Sequence, residues 1–123
     1  MLLKGKKLLI TGVATRQSIA YATAEEALAA GAEIVLTSFG RVMSITQTVA
    51  KRLQPTPDIL EMDVNSPEQI AAVAEELRGR WGGLDGIVHS VAFAPEDALG
   101  GNFLNTAWPS VATAVQTSSF SLK

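Results

Sequence analysis

The sequence predicts an α/β fold: a parallel sheet with helices wound over both faces. Three observations carry this. Short apolar bursts recur along the chain, at Leu8-Leu9-Ile10, Ile34-Val35-Leu36, Ile59-Leu60 with Met62, and Ile87-Val88. They are apolar on both faces, as strands covered on both sides must be. Between them lie segments whose apolar residues recur at helical spacing, and the connections are short. Right-handed crossovers between successive strands then make the sheet parallel.

The first strand is Leu8-Leu9-Ile10, closed by Thr11 and Gly12. A polar loop, Val13 to Gln17, leads to Ser18, whose hydroxyl can cap the free N–H groups of an Ala-rich helix. Gly31 stands where that helix needs a left-handed residue to stop. The second strand is Glu33 to Ser38, with Phe39-Gly40-Arg41 as its exit. A helix over about 41–53 carries Val42, Ile45, Val49 and Leu53 on one face. Gln54-Pro55-Thr56-Pro57 breaks it, since proline cannot continue the hydrogen-bond ladder. The third strand ends at Asp63-Val64-Asn65. Ser66-Pro67-Glu68-Gln69 starts the next helix, with Ser66 as cap, Pro67 in the first turn and Gln69 closing a capping box. Ile70, Val73, Ala74, Leu77 and Trp81 line its face, and Gly82-Gly83 end it. The fourth strand spans about Gly86 to His89. A loop runs from Ser90 to about Thr106. The last helical pattern, Val111, Val115 and Leu122, is expected to reach Lys123 in mid-pattern, without a cap.

Composition excludes several functions. Apolar residues make up 47% and charged residues 18% of 123 residues, which is the balance of a globular chain with a core. A net charge of −2 argues against a nucleic-acid partner held through its phosphates. With no Cys, disulfides and thiolate metal sites are excluded, and one His with no His/carboxylate cluster argues against a catalytic metal. Lys4, Lys6 and Lys7 precede an apolar run too short for a signal peptide, and no stretch could span a membrane. A cytoplasmic protein is expected.

The strand–Gly–loop–Ser–helix run at 7–30 is the first turn of a dinucleotide-binding unit, with a departure. The usual signature has three glycines, and only Gly12 is present. In a Rossmann-type, doubly wound sheet of order 3-2-1-4, the crevice opens at the carboxyl ends of strands 1 and 4. Gly12, Phe39, Asp63 and Ser90 all fall at strand ends on that edge. Phe39 offers an apolar face to an adenosine, or simply covers the sheet. Asp63 can accept from an adenine amine beside the Val64 backbone, or make an Asx turn; both can hold at once. Arg41 could meet a 2′-phosphate, but a solvated helix start is the better reading. His89 reads as a core histidine, and Tyr21 as a residue packed on the sheet rather than a catalytic tyrosine.

These residues together resemble the enoyl-acyl-carrier-protein reductases, a divergent branch of the short-chain dehydrogenase/reductases. The resemblance rests on Gly5-Lys6, Thr11-Gly12 with Ser18-Ile19-Ala20, Asp63-Val64, and above all on 85–95, Asp-Gly-Ile-Val-His-Ser-Val-Ala-Phe-Ala-Pro. An ordinary short-chain dehydrogenase would read Asn-Asn-Ala-Gly after strand 4, where this chain reads His-Ser-Val-Ala. The resemblance covers the whole chain and implies reduction of a trans-2-enoyl thioester on acyl carrier protein with NADH. By position, Gly12 and Val13 would approach the cofactor backbone, and Ser18 and Ile19 would hold its pyrophosphate. Phe39 would flank the adenosine, and Asp63 with Val64 would bind adenine. Ser90, Val91 and Ala92 would line the ribose and nicotinamide, and Ala94 would touch substrate. Ala92 stands where the family usually has Gly. The resemblance also implies a homo-oligomer, a tetramer.

The family's Tyr and Lys, six residues apart, have no counterpart here, since the only Tyr is Tyr21. Residues 1–123 are therefore expected to be a single dinucleotide-binding domain cut before the catalytic segment, with no catalytic residue of its own and an incomplete sheet. Two rival readings are a carbonyl-reducing short-chain dehydrogenase and a non-catalytic nucleotide-sensing module on the same fold. His89 to Ala92 count against the first.

Overall fold

A computed structural model describes residues 1–123, in two compact units, 1–90 and 91–123. The first unit holds four parallel strands, β1 (Lys7–Thr11), β2 (Glu33–Ser38), β3 (Asp58–Glu61) and β4 (Gly86–Val88), in the order β3-β2-β1-β4. The order and direction are those expected. Leu9 pairs with Val35 on one side and Ile87 on the other.

Side chains alternate across a strand, so each strand supplies both faces of the sheet. Ile10, Ile34 and Leu36 point into one core, under α1 (Ile19–Ala29) and α2 (Met43–Ala50). Leu9 and Val35 point into the other, under α3 (Pro67–Trp81), where they meet Val73 and Leu77. The small residues of α1, Ala20, Ala24 and Ala27, let it lie close on β1 and β2, with Tyr21 buried among them. This helix ends as expected. Gly31 takes φ +95°, its N–H reaches the Leu28 carbonyl at 3.0 Å, and the Ala32 N–H reaches Ala27 at 3.0 Å.

Two helix faces differ from the sequence pattern. On α2, Thr46, Val49 and Ala50 are buried, with Leu53 just beyond the helix, while Val42 and Ile45 are exposed. The first residues after Phe39 form a 3-10 turn, Gly40–Val42, whose tighter winding rotates the following helix. On α3 only Val73 and Leu77 are buried; Trp81 is half-buried, and Ile70 and Ala74 are exposed. The cap of α3 is also half as drawn. Ser66 Oγ accepts from the Gln69 N–H at 3.3 Å, but Gln69 Oε1 accepts from the Asp63 N–H at 2.6 Å and not from Ser66. The Ser66 N–H is taken by the Asp63 carbonyl instead.

β4 stops at Val88, one residue short of the expected end, and is the edge of the sheet. The second unit contains 3-10 turns at Glu96–Ala98 and Phe103–Asn105, then α4 (Trp108–Ser118). Ser110 Oγ bonds the Asp97 carboxylate, and Ser118 Oγ donates to the Phe93 carbonyl at 3.1 Å and accepts from its N–H at 3.0 Å. The helix does not run on to Lys123. It ends at Ser118 with Ser119 as its cap residue, and a 3-10 turn at Phe120–Leu122 follows, so Leu122 lies outside the helical pattern.

Candidate functional site at the carboxyl edge of the sheet

All four strands of the first unit end on one edge, and four of the expected site segments stand there. Gly12 closes β1 with φ +84°, a conformation that costs a side chain but not glycine. A Cβ at this position would lie 1.8 Å from the Ser90 carbonyl oxygen. Glycine is thus required twice, by its φ and by the approach of the two backbones where the strand order reverses. Thr11 fixes that approach. Its hydroxyl donates to the Val88 carbonyl at 3.1 Å and accepts from the Ser90 N–H at 3.0 Å, tying the end of β1 to the exit of β4.

The loop after Gly12 turns inward at Val13, which is buried, and reaches α1 through Ser18. Ser18 Oγ accepts from the Tyr21 N–H at 3.2 Å and donates to the Thr15 carbonyl at 2.7 Å. It is a cap in the ordinary sense. Ile19, the first residue of the helix, is 79% exposed, so the helix start is open to solvent. The backbone N–H groups of that first turn and the positive end of the helix dipole can accept an anion there.

At the exit of β2, Phe39 is 42% exposed, Gly40 takes φ +58°, and Arg41 is exposed. At the exit of β3, Asp63 Oδ1 accepts from the Asn65 N–H at 2.9 Å, which is the Asx turn, and Val64 is buried. His89 and Ser90 are half-buried. Val91, Ala92 and Ala94 belong to the second unit. Within it Ala92 and Ala94 line an apolar groove of about 530 Å³ together with Phe93, Leu99, Val115 and Ser118.

The opposite edge of the sheet carries a depression of about 620 Å³, lined by Lys7, Glu33, Pro57, Asp58, Arg80 and Trp81 among others. Its charges are spent on one another. Lys7 pairs with Glu33, and Arg80 with Glu76 at 3.0 Å and Asp58 at 2.7 Å. Hydrogen bonds from Glu76 first and Asp58 second hold the Arg80 guanidinium even more firmly protonated than usual.

The motif after β4 and the glycine it presses against are features of a family, and the family matches. Residues 12–123 fit the family described as enoyl-(acyl carrier protein) reductase. The chain belongs to it. Relatives include an enoyl-acyl-carrier-protein reductase (NADH) of Mycolicibacterium smegmatis, 36% identical over 98% of this chain and 46% of its own length. The FabI enzyme of the same description from Neisseria meningitidis serogroup B is 38% identical, again over 98% of this chain and 46% of its own. That of a Nostoc species is 36% identical over 98% and 48%. The chain thus spans about half the length of the curated relatives it matches.

Within this reductase family chain, the roles of two residues that bond to this edge, Thr11 at the end of β1 and Thr46 on α2, escape a reading of its sequence. Thr11 is legible as the strand end and as part of the Thr11-Gly12 resemblance but not as a tie to β4, and Thr46 only as a polar residue between Ile45 and Val49. Thr46 is fully buried, and its hydroxyl lies 2.6 Å from the Val13 carbonyl and 2.9 Å from Ser38 Oγ. The available signal was a hydroxyl residue where the helical period calls for an apolar one.

Proposed function

We propose that this chain is the cofactor-holding part of an NADH-dependent enoyl-acyl-carrier-protein reductase, which reduces trans-2-enoyl thioesters on acyl carrier protein in fatty-acid synthesis. The observation that carries the reading is the contact between Gly12 and Ser90. It brings the first βα turn and the family's His-Ser segment together at the switch of strand order, where open α/β sheets take ligands.

The residues fit a dinucleotide. Gly12 and Val13 let the backbone approach it, and the open start of α1, at Ser18 and Ile19, receives the pyrophosphate. Ser18 contributes mainly by holding that helix start, since its hydroxyl already serves Tyr21 and Thr15. Phe39 covers the adenosine, and Asp63 with the Val64 backbone recognises the adenine. Asp63 does this while keeping its Asx turn, which orients the carboxylate. No carboxylate stands at the exit of β2 to bind a ribose hydroxyl, and Phe39 offers an apolar face there instead. Ser90, Val91 and Ala92 line the ribose and nicotinamide, and Ala94 touches the substrate, in keeping with the apolar groove it lines.

The nicotinamide supplies a hydride to the enoyl double bond, while the protein supplies position and field. On this reading none of these 123 residues serves as the acid for the thioester oxygen. The sole tyrosine, Tyr21, is buried in the core under α1. No helix is long and apolar enough to cross a membrane, and the reading places the enzyme in the cytoplasm as a homo-oligomer.

The test is a paired assay on the purified 123 residues. NADH binding, read by its fluorescence, is expected without any consumption of NADH when a crotonyl thioester is added. Turnover would show that a catalytic group had been missed. Absence of NADH binding would remove the cofactor reading itself.

A further inference from the structure

Thr46 stands on α2, a helix that contributes no residue to the edge described above, yet its hydroxyl reaches into the loop that does. The Val13 carbonyl can only accept a hydrogen bond, so the single Thr46 hydroxyl proton goes to it, over 2.6 Å. The 2.9 Å contact with Ser38 must then be donated by Ser38. The result is a directed line, Ser38 to Thr46 to the Val13 carbonyl. All three residues are buried, at 7%, 0% and 1% exposure, so water does not compete. Ser38 is the last residue of β2 and precedes Phe39; Val13 follows Gly12. The line therefore joins the loop on the pyrophosphate side to the strand exit on the adenosine side.

Its geometry has a second effect. In a trans peptide the C=O and the following N–H point in opposite directions. Drawing the Val13 carbonyl toward α2 turns the Ala14 N–H away from α2. A loop with a single glycine has few other means of holding one peptide orientation.

We propose that Thr46, through Ser38 and the Val13 carbonyl, is the positioning residue that sets the separation of the pyrophosphate and adenosine subsites. The inference rests on the reading of this edge as a dinucleotide site. It concerns ligands that span both subsites and not those that occupy one.

The experiment compares ADP-ribose, which spans both, with adenosine, which occupies one, by calorimetric titration of the purified protein. Thr46→Val keeps the shape and removes the hydroxyl. With both hydrogen bonds of that hydroxyl gone, it is expected to weaken ADP-ribose about tenfold or more and to leave adenosine within about twofold. Thr46→Ser should restore ADP-ribose binding. Equal losses for both ligands, or no loss for either, would overturn the proposal and leave Thr46 a structural residue. If Thr46→Val does not fold, Ser38→Ala carries the same comparison, with a smaller selective loss expected because the bond to Val13 remains. Failure of the unaltered protein to bind ADP-ribose would instead overturn the dinucleotide reading, and this proposal with it.

Discussion

Two glycines separate backbone conformation from crowding. Gly12 and Gly40 both have positive φ, +84° and +58°, but only Gly12 faces a neighbouring backbone. A Cβ at Gly40 would meet nothing within 4 Å. Gly40→Ala should therefore cost only the left-handed strain, about 1 kcal/mol. Gly12→Ala carries the same strain and must also push apart β1 and the exit of β4, for a total of about 3 kcal/mol or more. Chemical denaturation of the two variants measures the difference, and equal costs would mean that the Gly12–Ser90 contact relaxes freely. Ser18 gives a third case. As a cap, Ser18→Ala should cost about 1 kcal/mol and Ser18→Gly only a few tenths. If the hydroxyl does no more than hold the helix start, Ser18→Gly binds NADH nearly as the parent does. A large loss of affinity in that variant would assign the hydroxyl a direct contact.

At the scale of elements, the strands and the caps at Ser18 and Ser66 were legible, and the Gln69 half of the capping box, the end of α4 and the helix faces less so. The four strands and the stops at Gly31 and Gly82 follow from apolar runs and from glycine at left-handed positions, which are local signals, whereas the strand order follows from reading the first turn as that of a dinucleotide-binding unit. The face of α2 was misread because the 3-10 turn at 40–42 changes the phase of the pattern before the helix begins. Val42 and Ile45 match a helical stripe that the chain does not present to the core. Ile45→Ala should accordingly change stability by no more than about 0.5 kcal/mol, whereas Leu53→Ala, in the core under α1 and α2, should cost about 2–5 kcal/mol. Similar values from thermal or urea unfolding would contradict the observed face. The site was legible to the same degree. Gly12, Phe39, Asp63 and Ser90 are at strand ends by pattern alone, but the two threonines that fix the edge are not. Their hydrogen bonds join segments 33 and 79 residues apart, which no local pattern reports.

For the sheet as a whole, two strands stand at its edges, β3 and β4. β4 pairs only with β1, and Ile87 on it is 54% exposed. A strand with an unpaired edge and an apolar side chain in solvent templates association. Purified residues 1–123 are expected to self-associate in sedimentation, and the outward amides of Gly86 to Val88 should exchange quickly in any monomer that remains. A monodisperse monomer with strong protection across these residues would show that the edge is covered.

The central claim is that a dinucleotide lies on the carboxyl edge of this sheet. Amide chemical shifts followed during titration with NAD test it most directly, because the opposite edge carries a depression of its own and only the carboxyl edge is predicted to respond. The expected shifts fall at Gly12, Val13, Ile19, Phe39, Val64 and Ser90, with none at the depression around Lys7, Asp58 and Trp81. Shifts confined to that opposite edge, or no shifts at saturating NAD, would contradict the account.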